Sequence, residues 1–215
     1  MDFWRQLDIV SPDDFKPHKI TVIGAGGIGS PTILALSKVG VQHLTVYDYD
    51  TIEAHNLPNQ FYRLSDVNKL KVDAIADISQ QYGGITIEKK PEPYKGQPLS
   101  GIVISGVDSM DVRKLIWDRI KYNPNISNYI EARMGAEVAR IYTVIPCDPT
   151  DVTWYETMLY TDDKAMELPC TQRAIIYCVL MIAALISNQV KKIAKMEEIK
   201  KEIICDLKTL NLITS

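Results

Sequence analysis

The run Lys19-Ile20-Thr21-Val22-Ile23-Gly24-Ala25-Gly26-Gly27-Ile28-Gly29 decides the fold. Its first half is apolar and β-branched and ends at glycine, which reads as a short buried strand. Its second half is a GxGxxG pattern. Glycines there let the turn be tight and let the backbone approach a phosphate, while the following helix offers free N–H groups and a positive dipole to the anion. Residues 29–39 supply that helix, with Ile33, Leu34, Leu36 and Val39 at helical spacing and Gly40 as a stop. A plain strand–helix turn would use the same glycines. The strand before and the helix after favour nucleotide binding.

Outward from that loop, strands and helices alternate. Leu44-Thr45-Val46-Tyr47-Asp48 reads as a second strand, and residues 68–82 as a helix closed by Gly83-Gly84. Residues 86–88 and 102–105 read as further strands, residues 110–122 as a helix and residues 129–132 as a strand. This order implies βαβ units and a Rossmann-like, mostly parallel sheet covered by helices on both faces. Residues 138–145 look like one more strand, antiparallel and at an edge. Residues 146–169 are rich in Pro and Asp and lack periodicity, which predicts a long mobile crossover loop (146–170). Two helices, 171–194 and 197–210, are expected to finish a single domain spanning 1–215.

The 215 residues can bury a sizeable core without disulfide staples. Twenty-four Lys and Arg against 27 Asp and Glu give a formal charge of −3, too balanced to draw the chain to nucleic acid or an anionic membrane. The polar start lacks the apolar region of a signal peptide, and the longest apolar run, residues 174–186, falls short of the roughly 20 residues a membrane span needs. Cys147, Cys170, Cys178 and Cys205 form no Cys-x-x-Cys pair, so no zinc is expected and a cytoplasmic, thiol-reducing setting fits. The lysines of the C-terminal stretch alternate with glutamates and read as a solvated face.

Asp48 closes the second strand 19 residues after Gly29, where an acidic residue takes ribose hydroxyls. That suits NAD as well as ATP, and a strand-end Asp can also simply cap a turn. The stretch that follows, Asp48-Tyr49-Asp50-Thr51-Ile52-Glu53-Ala54-His55-Asn56-Leu57-Pro58-Asn59-Gln60, resembles the DxDxVexxNLxRQ signature of the ThiF/MoeB family. These are adenylyltransferases akin to ubiquitin-activating enzymes. Asn68-Lys69-Leu70-Lys71-Val72-Asp73-Ala74 is similar to the family's GkpKaxxa, and Ser105-Gly106-Val107-Asp108-Ser109-Met110-Asp111-Val112-Arg113 to its cxDNxxxR. Arg5-Gln6 is like the end of its RYxRQ. The resemblance runs from about residue 5 to about residue 193.

The resemblance implies ATP- and Mg²⁺-dependent adenylation of the C-terminal carboxylate of a small ubiquitin-like or sulfur-carrier protein, or of a peptide. Charge then builds on phosphate oxygens, so such a site needs cations and a metal more than an acid–base pair. By resemblance, Gly24, Gly26, Gly27 and Gly29 cradle the phosphates, with Lys71 facing them and Asn56 beside them. Asp48 takes the ribose, with Asp50 as a neighbouring candidate, and Asp108 holds Mg²⁺. Arg5 reaches the phosphates from the partner subunit of a homodimer or heterodimer. Arg113 anchors its helix.

Two departures stand out. Asn59 replaces the family arginine of NLxRQ, which removes a cation expected to stabilise pyrophosphate, and Ser109 replaces an asparagine. Cys170, just before an apolar helix, resembles the cysteine with which some members form a thioester or persulfide-linked adduct. A thiolate at a helix N-terminus is a better nucleophile, and a packing cysteine is the other reading. Two alternatives remain open: a catalytically degenerate scaffold subunit of a heterodimer, motivated by Asn59, and an NAD-dependent oxidoreductase. The latter leaves Asn56, Lys71 and Asp108 unexplained.

Overall fold

The structure, a computed structural model, describes residues 1–160 and 175–215. Eight strands form one sheet in the order β3-β2-β1-β4-β5-β6-β7-β8. These are β1 (Ile20–Ile23), β2 (Leu44–Tyr47), β3 (Glu88–Lys90), β4 (Gly101–Ser105), β5 (Ile126–Gly135), β6 (Val138–Val144), β7 (Glu202–Asp206) and β8 (Asn211–Thr214). The first five are parallel: Val22 pairs with Val46 on one side and with Ile104 on the other. The chain leaves β1 toward β2 and β3, then returns to place β4 and β5 on the opposite side. The crevice beyond the C-terminal ends of β1 and β4 is therefore a topological switch point, where ligands bind in open α/β sheets.

The pleat sorts the residues into two layers. Val22, Val46, Ile104, Ile130 and Ile141 face one core with helices α2 (Gly29–Val39), α3 (Lys71–Gly83) and α6 (Ile176–Ala194). Val103, Tyr129 and Tyr142 face the other, with α4 (Met110–Ile120) and α5 (Pro149–Glu156). A single turn, α1 (Pro12–Phe15), is closed by a Ser11/Asp14 capping box. Helix α2 ends in a left-handed Gly40, and α3 in a left-handed Gly84, as their glycines predicted. Helix α6 is long and apolar enough to cross a membrane by length and composition. In the fold its Cys178, Val179, Ile182, Ala183, Ile186 and Val190 are buried against the sheet and α2. Each such Ile or Val contributes roughly 1.5–3 kcal/mol.

Four expectations change. The helix expected over 197–210 is instead the antiparallel pair β7 and β8: Ile203 and Cys205 are buried while their neighbours are less so, a period of two that the flanking Lys and Glu obscured. Residues 138–144 are antiparallel as expected, but they open a three-stranded antiparallel edge rather than ending it. The stretch 146–169 is not all loop, because Asp148 accepts from the Thr150 and Asp151 amides and Pro149 occupies the first turn of α5. The third strand lies at 88–90 rather than 86–88. The start of the helix expected at Thr171 falls outside the described residues, and α6 is described from Ile176.

Candidate nucleotide site

The glycine loop sits at the C-terminal end of β1. Gly24 has φ 94°, a left-handed conformation, and a Cβ there would lie 3.1 Å from the Gly106 carbonyl at the end of β4. A Cβ on Gly29 would overlap the Gly24 carbonyl oxygen. These two positions need glycine for close packing, so the loop folds tightly at the mouth of the crevice, with the Gly24 amide donating to the Tyr47 carbonyl at 2.8 Å. The segment after β2 closes the other wall. Ser30 Oγ accepts from the Phe61 amide at 2.9 Å and donates to the Gly26 carbonyl at 2.8 Å, while the Tyr62 hydroxyl donates to the Ala25 carbonyl at 2.6 Å. Burial, and then the charges of Asp48, Asp66 and Asp50, push the Tyr62 phenol well above its ordinary value, so it stays a donor.

A polar relay runs from this loop to α3. Asp48 Oδ2 accepts from the Ala25 amide at 2.6 Å and Oδ1 from the Asp50 amide at 2.9 Å. Burial raises the Asp48 carboxyl above its usual value, while those amides and Lys71 pull it down. Asp50 Oδ2 in turn accepts from Lys71 Nζ at 2.7 Å. Lys71 is only 6% exposed and is the first residue of α3. A buried cation at the positive end of a helix dipole is doubly unfavourable, so the position is held by partners or kept for an anion.

The sequence-predicted residues therefore separate into groups. Gly24, Gly26, Gly27, Gly29, Asp48, Asp50 and Lys71 converge around the crevice. Asp108 is exposed one residue beyond Val107, whose amide lies 3.4 Å from the Cβ position of Gly24, so it stands at the same opening. Asn56 ends a 3₁₀ turn, with Oδ1 accepting from the Glu53 amide at 3.0 Å and its carbonyl accepting from Gln60. Its carbonyl therefore anchors the segment that lies on the loop. Within its own chain Arg5 lies away from the crevice: Gln6 beside it donates to the Val39 carbonyl, at the far end of α2. An 11-residue helix puts that end about 16 Å from the glycine loop. Cys170 lies outside the described residues.

Two residues near the loop had no assigned role in the sequence. Gln60 places Nε2 3.9 Å from the Cβ position of Gly26, and its Oε1 is buried without a hydrogen bond. Tyr62 could not be singled out because its role depends on a loop folding back, not on spacing. A separate groove of about 570 Å³, lined by Lys19, Thr21, Thr45, Tyr47, Glu88 and Lys90, opens on the face of β1–β3, and none of the predicted site residues line it.

Comparisons with known proteins agree with this geometry. The sequence matches the ThiF family over residues 5–214. It is 41% identical over 65 residues to the adenylyltransferase and sulfurtransferase UBA4 of Yarrowia lipolytica, covering 30% of this chain and 16% of that protein. It is 38% identical over 113 residues to the NEDD8-activating enzyme E1 catalytic subunit of Dictyostelium discoideum, covering 48% of this chain and 24% of that one. The chain thus spans under a quarter of the length of those two relatives. The fold is similar to that of E. coli MccB with AMPCPP and MccA, at TM-score 0.77 and 19% identity, over 95% of this chain and 65% of MccB. With glycine loop, strand order and a match along almost its whole length in agreement, the chain belongs to the ThiF family.

Proposed function

We propose that this chain adenylates a substrate carboxylate with ATP. The carrying observation is the buried Lys71, tied through Asp50 and Asp48 to the amide of Ala25 in the glycine loop. In this reading the carboxylate oxygen attacks the α-phosphorus and the bond to the bridging oxygen breaks. Pyrophosphate leaves with the negative charge. Loop amides hold the phosphates, Lys71 exchanges its Asp50 contact for a phosphate oxygen, and Asp48 orients the ribose. The exposed Asp108 carboxylate suits Mg²⁺, which binds through one or two carboxylates plus phosphate oxygens. Bound there, the metal would neutralise charge on the phosphates. Pyrophosphate exchange with candidate substrates tests the reaction. Calorimetry that detects no ATP binding in the presence of Mg²⁺ would sink it.

The substrate class we favour is the C-terminal carboxylate of a ubiquitin-like or sulfur-carrier protein or of a peptide. It is supported by the names of the relatives and by the MccA peptide bound to MccB. A homodimer or heterodimer in the cytoplasm is part of the same proposal. Transfer to Cys170 is a further step of it: Cys170→Ala should keep pyrophosphate exchange and lose any reductant-sensitive adduct with the substrate protein. An adduct that survives the substitution removes Cys170 from the chemistry.

Asn59 supports a second reading, a scaffold subunit without turnover. Its carbonyl, 3.4 Å from the Cβ position of Gly27, puts this residue against the phosphate loop where the family places an arginine. If that reading holds, Asn59→Arg creates exchange that the wild type lacks, and strong wild-type exchange excludes it.

A further inference from the structure

Glu131 sits near the middle of β5, paired with Ser105 at the last residue of β4, and its side chain is fully buried. A carboxylate there needs partners, and three stand among the described residues. Arg133 makes two contacts to it, from Nε to Oε1 and, at 3.1 Å, from Nη2 to Oε2. The Tyr155 hydroxyl donates to Oε2. Arg113 Nε approaches Oε1 at 3.0 Å as an ion pair, off the N–H axis. Arg133 is also committed elsewhere, donating from Nη1 to the Met158 carbonyl at 2.9 Å and lying over the rings of Tyr142 and Tyr160. Arg113 is different. Its Nη2 donates to the carbonyl of Val107, the residue directly before Asp108.

We propose that Glu131 is a positioning residue for the metal-holding carboxylate. Its buried charge fixes the Arg113 guanidinium, and Arg113 fixes the Val107 carbonyl and so the loop that presents Asp108. The brace itself is visible without a ligand, and only the metal role of Asp108 rests on the adenylation reading. It also explains why a glutamate stands among the fully buried Tyr129, Ile130 and Ala132 of β5, and why Arg113 is 7% exposed beside a carboxylate rather than free in the crevice. Gly106 reports on the loop, because its amide donates to the Ile23 carbonyl at 2.9 Å and exchanges only when the loop opens.

The test uses the full chain with Glu131→Gln, which keeps shape and removes charge. Arg113→Lys, which keeps charge and removes the second arm, serves as the second variant in case the first does not fold. Two readouts separate positioning from mere packing. Hydrogen exchange at the Gly106 amide of the unliganded protein should speed up at least tenfold, with the amides of α2 unchanged. The Mg²⁺ concentration giving half-maximal enhancement of ATP binding, by calorimetry, should rise at least tenfold, with metal-free ATP affinity within twofold of wild type. A lower melting temperature with neither readout moved would make Glu131 a core brace and overturn the proposal. If the wild type binds no ATP, the adenylation reading falls and this role with it. If ATP binding is intact and the Mg²⁺ requirement is unchanged, only this role falls.

Discussion

Lys71 and Asp50 are the pair on which the residue-scale reading turns. Asp50 is half exposed and neutralises an almost buried ammonium, so the pair is neither a surface bridge nor a sealed one. If Asp50 is the counter-ion that the triphosphate displaces, Asp50→Asn should lower stability by about 1–2 kcal/mol, less than a fully buried pair would. The same change should tighten ATP binding several-fold, because a competing carboxylate is gone. Weaker ATP binding in a calorimeter would instead return Asp50 to the ribose. Lys71→Ala should cut pyrophosphate exchange by about 10²–10³, the usual cost of removing one donor that meets developing charge. Asp108→Ala should abolish exchange while the far-UV spectrum and melting temperature stay at wild-type values, since this side chain is exposed. Retained exchange would count against its metal role.

At the scale of elements, the connection into α3 depends on a small ionic knot. Asp66 is fully buried and accepts from Arg63 and Lys69, while Arg63 also reaches Asp77 on α3. Burial alone would raise the Asp66 carboxyl, but the hydrogen bonds from Arg63 and Lys69 outweigh it and bring it down from 3.8 to about 2. A carboxyl depressed in the folded state contributes stability that is complete above its unfolded value of 3.8 and is lost as pH falls toward about 2. The contribution is about 2 kcal/mol. Urea midpoints measured from pH 5 to pH 2 should therefore fall more steeply for wild type than for Asp66→Asn, which lacks this titration. Parallel curves would show that the knot contributes no pH-dependent stability. The knot matters for function because the backbone it holds delivers Lys71 to the crevice: the Lys71 amide donates to the Asp50 carbonyl at 2.9 Å.

Across the whole molecule, Arg5 raises a question of assembly. Within one chain it lies beyond the C-terminal end of α2, away from the glycine loop, so it can serve phosphates only across a subunit boundary. Mixing Arg5→Ala with Lys71→Ala chains after dissociation would then rebuild one intact site in each mixed dimer. Exchange should recover to about a quarter of the wild-type level for random two-fold pairing. If each variant is inactive alone and the mixture stays inactive, Arg5 does not serve the phosphates and its loss acts through the fold around the end of α2.

The residue run 19–29 by itself determined the strand, the phosphate-type turn and the helix, because close backbone packing there tolerates only glycine and the periodicity on each side is unambiguous. The alternation that follows determined a parallel sheet, and the Asp48–Gln60, Asn68–Ala74 and Ser105–Arg113 stretches pointed to the family. Tertiary structure decided what local pattern could not. Residues 202–206 and 211–214 have only two buried side chains, Ile203 and Cys205, and became strands because the free edge of β6 offered hydrogen bonds. Residue identity alone gave Asp50 and Asp48 the same chemistry, and their different roles arise from which amides and which ammonium the fold brings to each. Glu131 read as an ordinary strand residue; only the packing of α4 and α5 on the sheet surrounds it with Arg113 and Tyr155, turning a buried charge that would be costly into the centre of a brace.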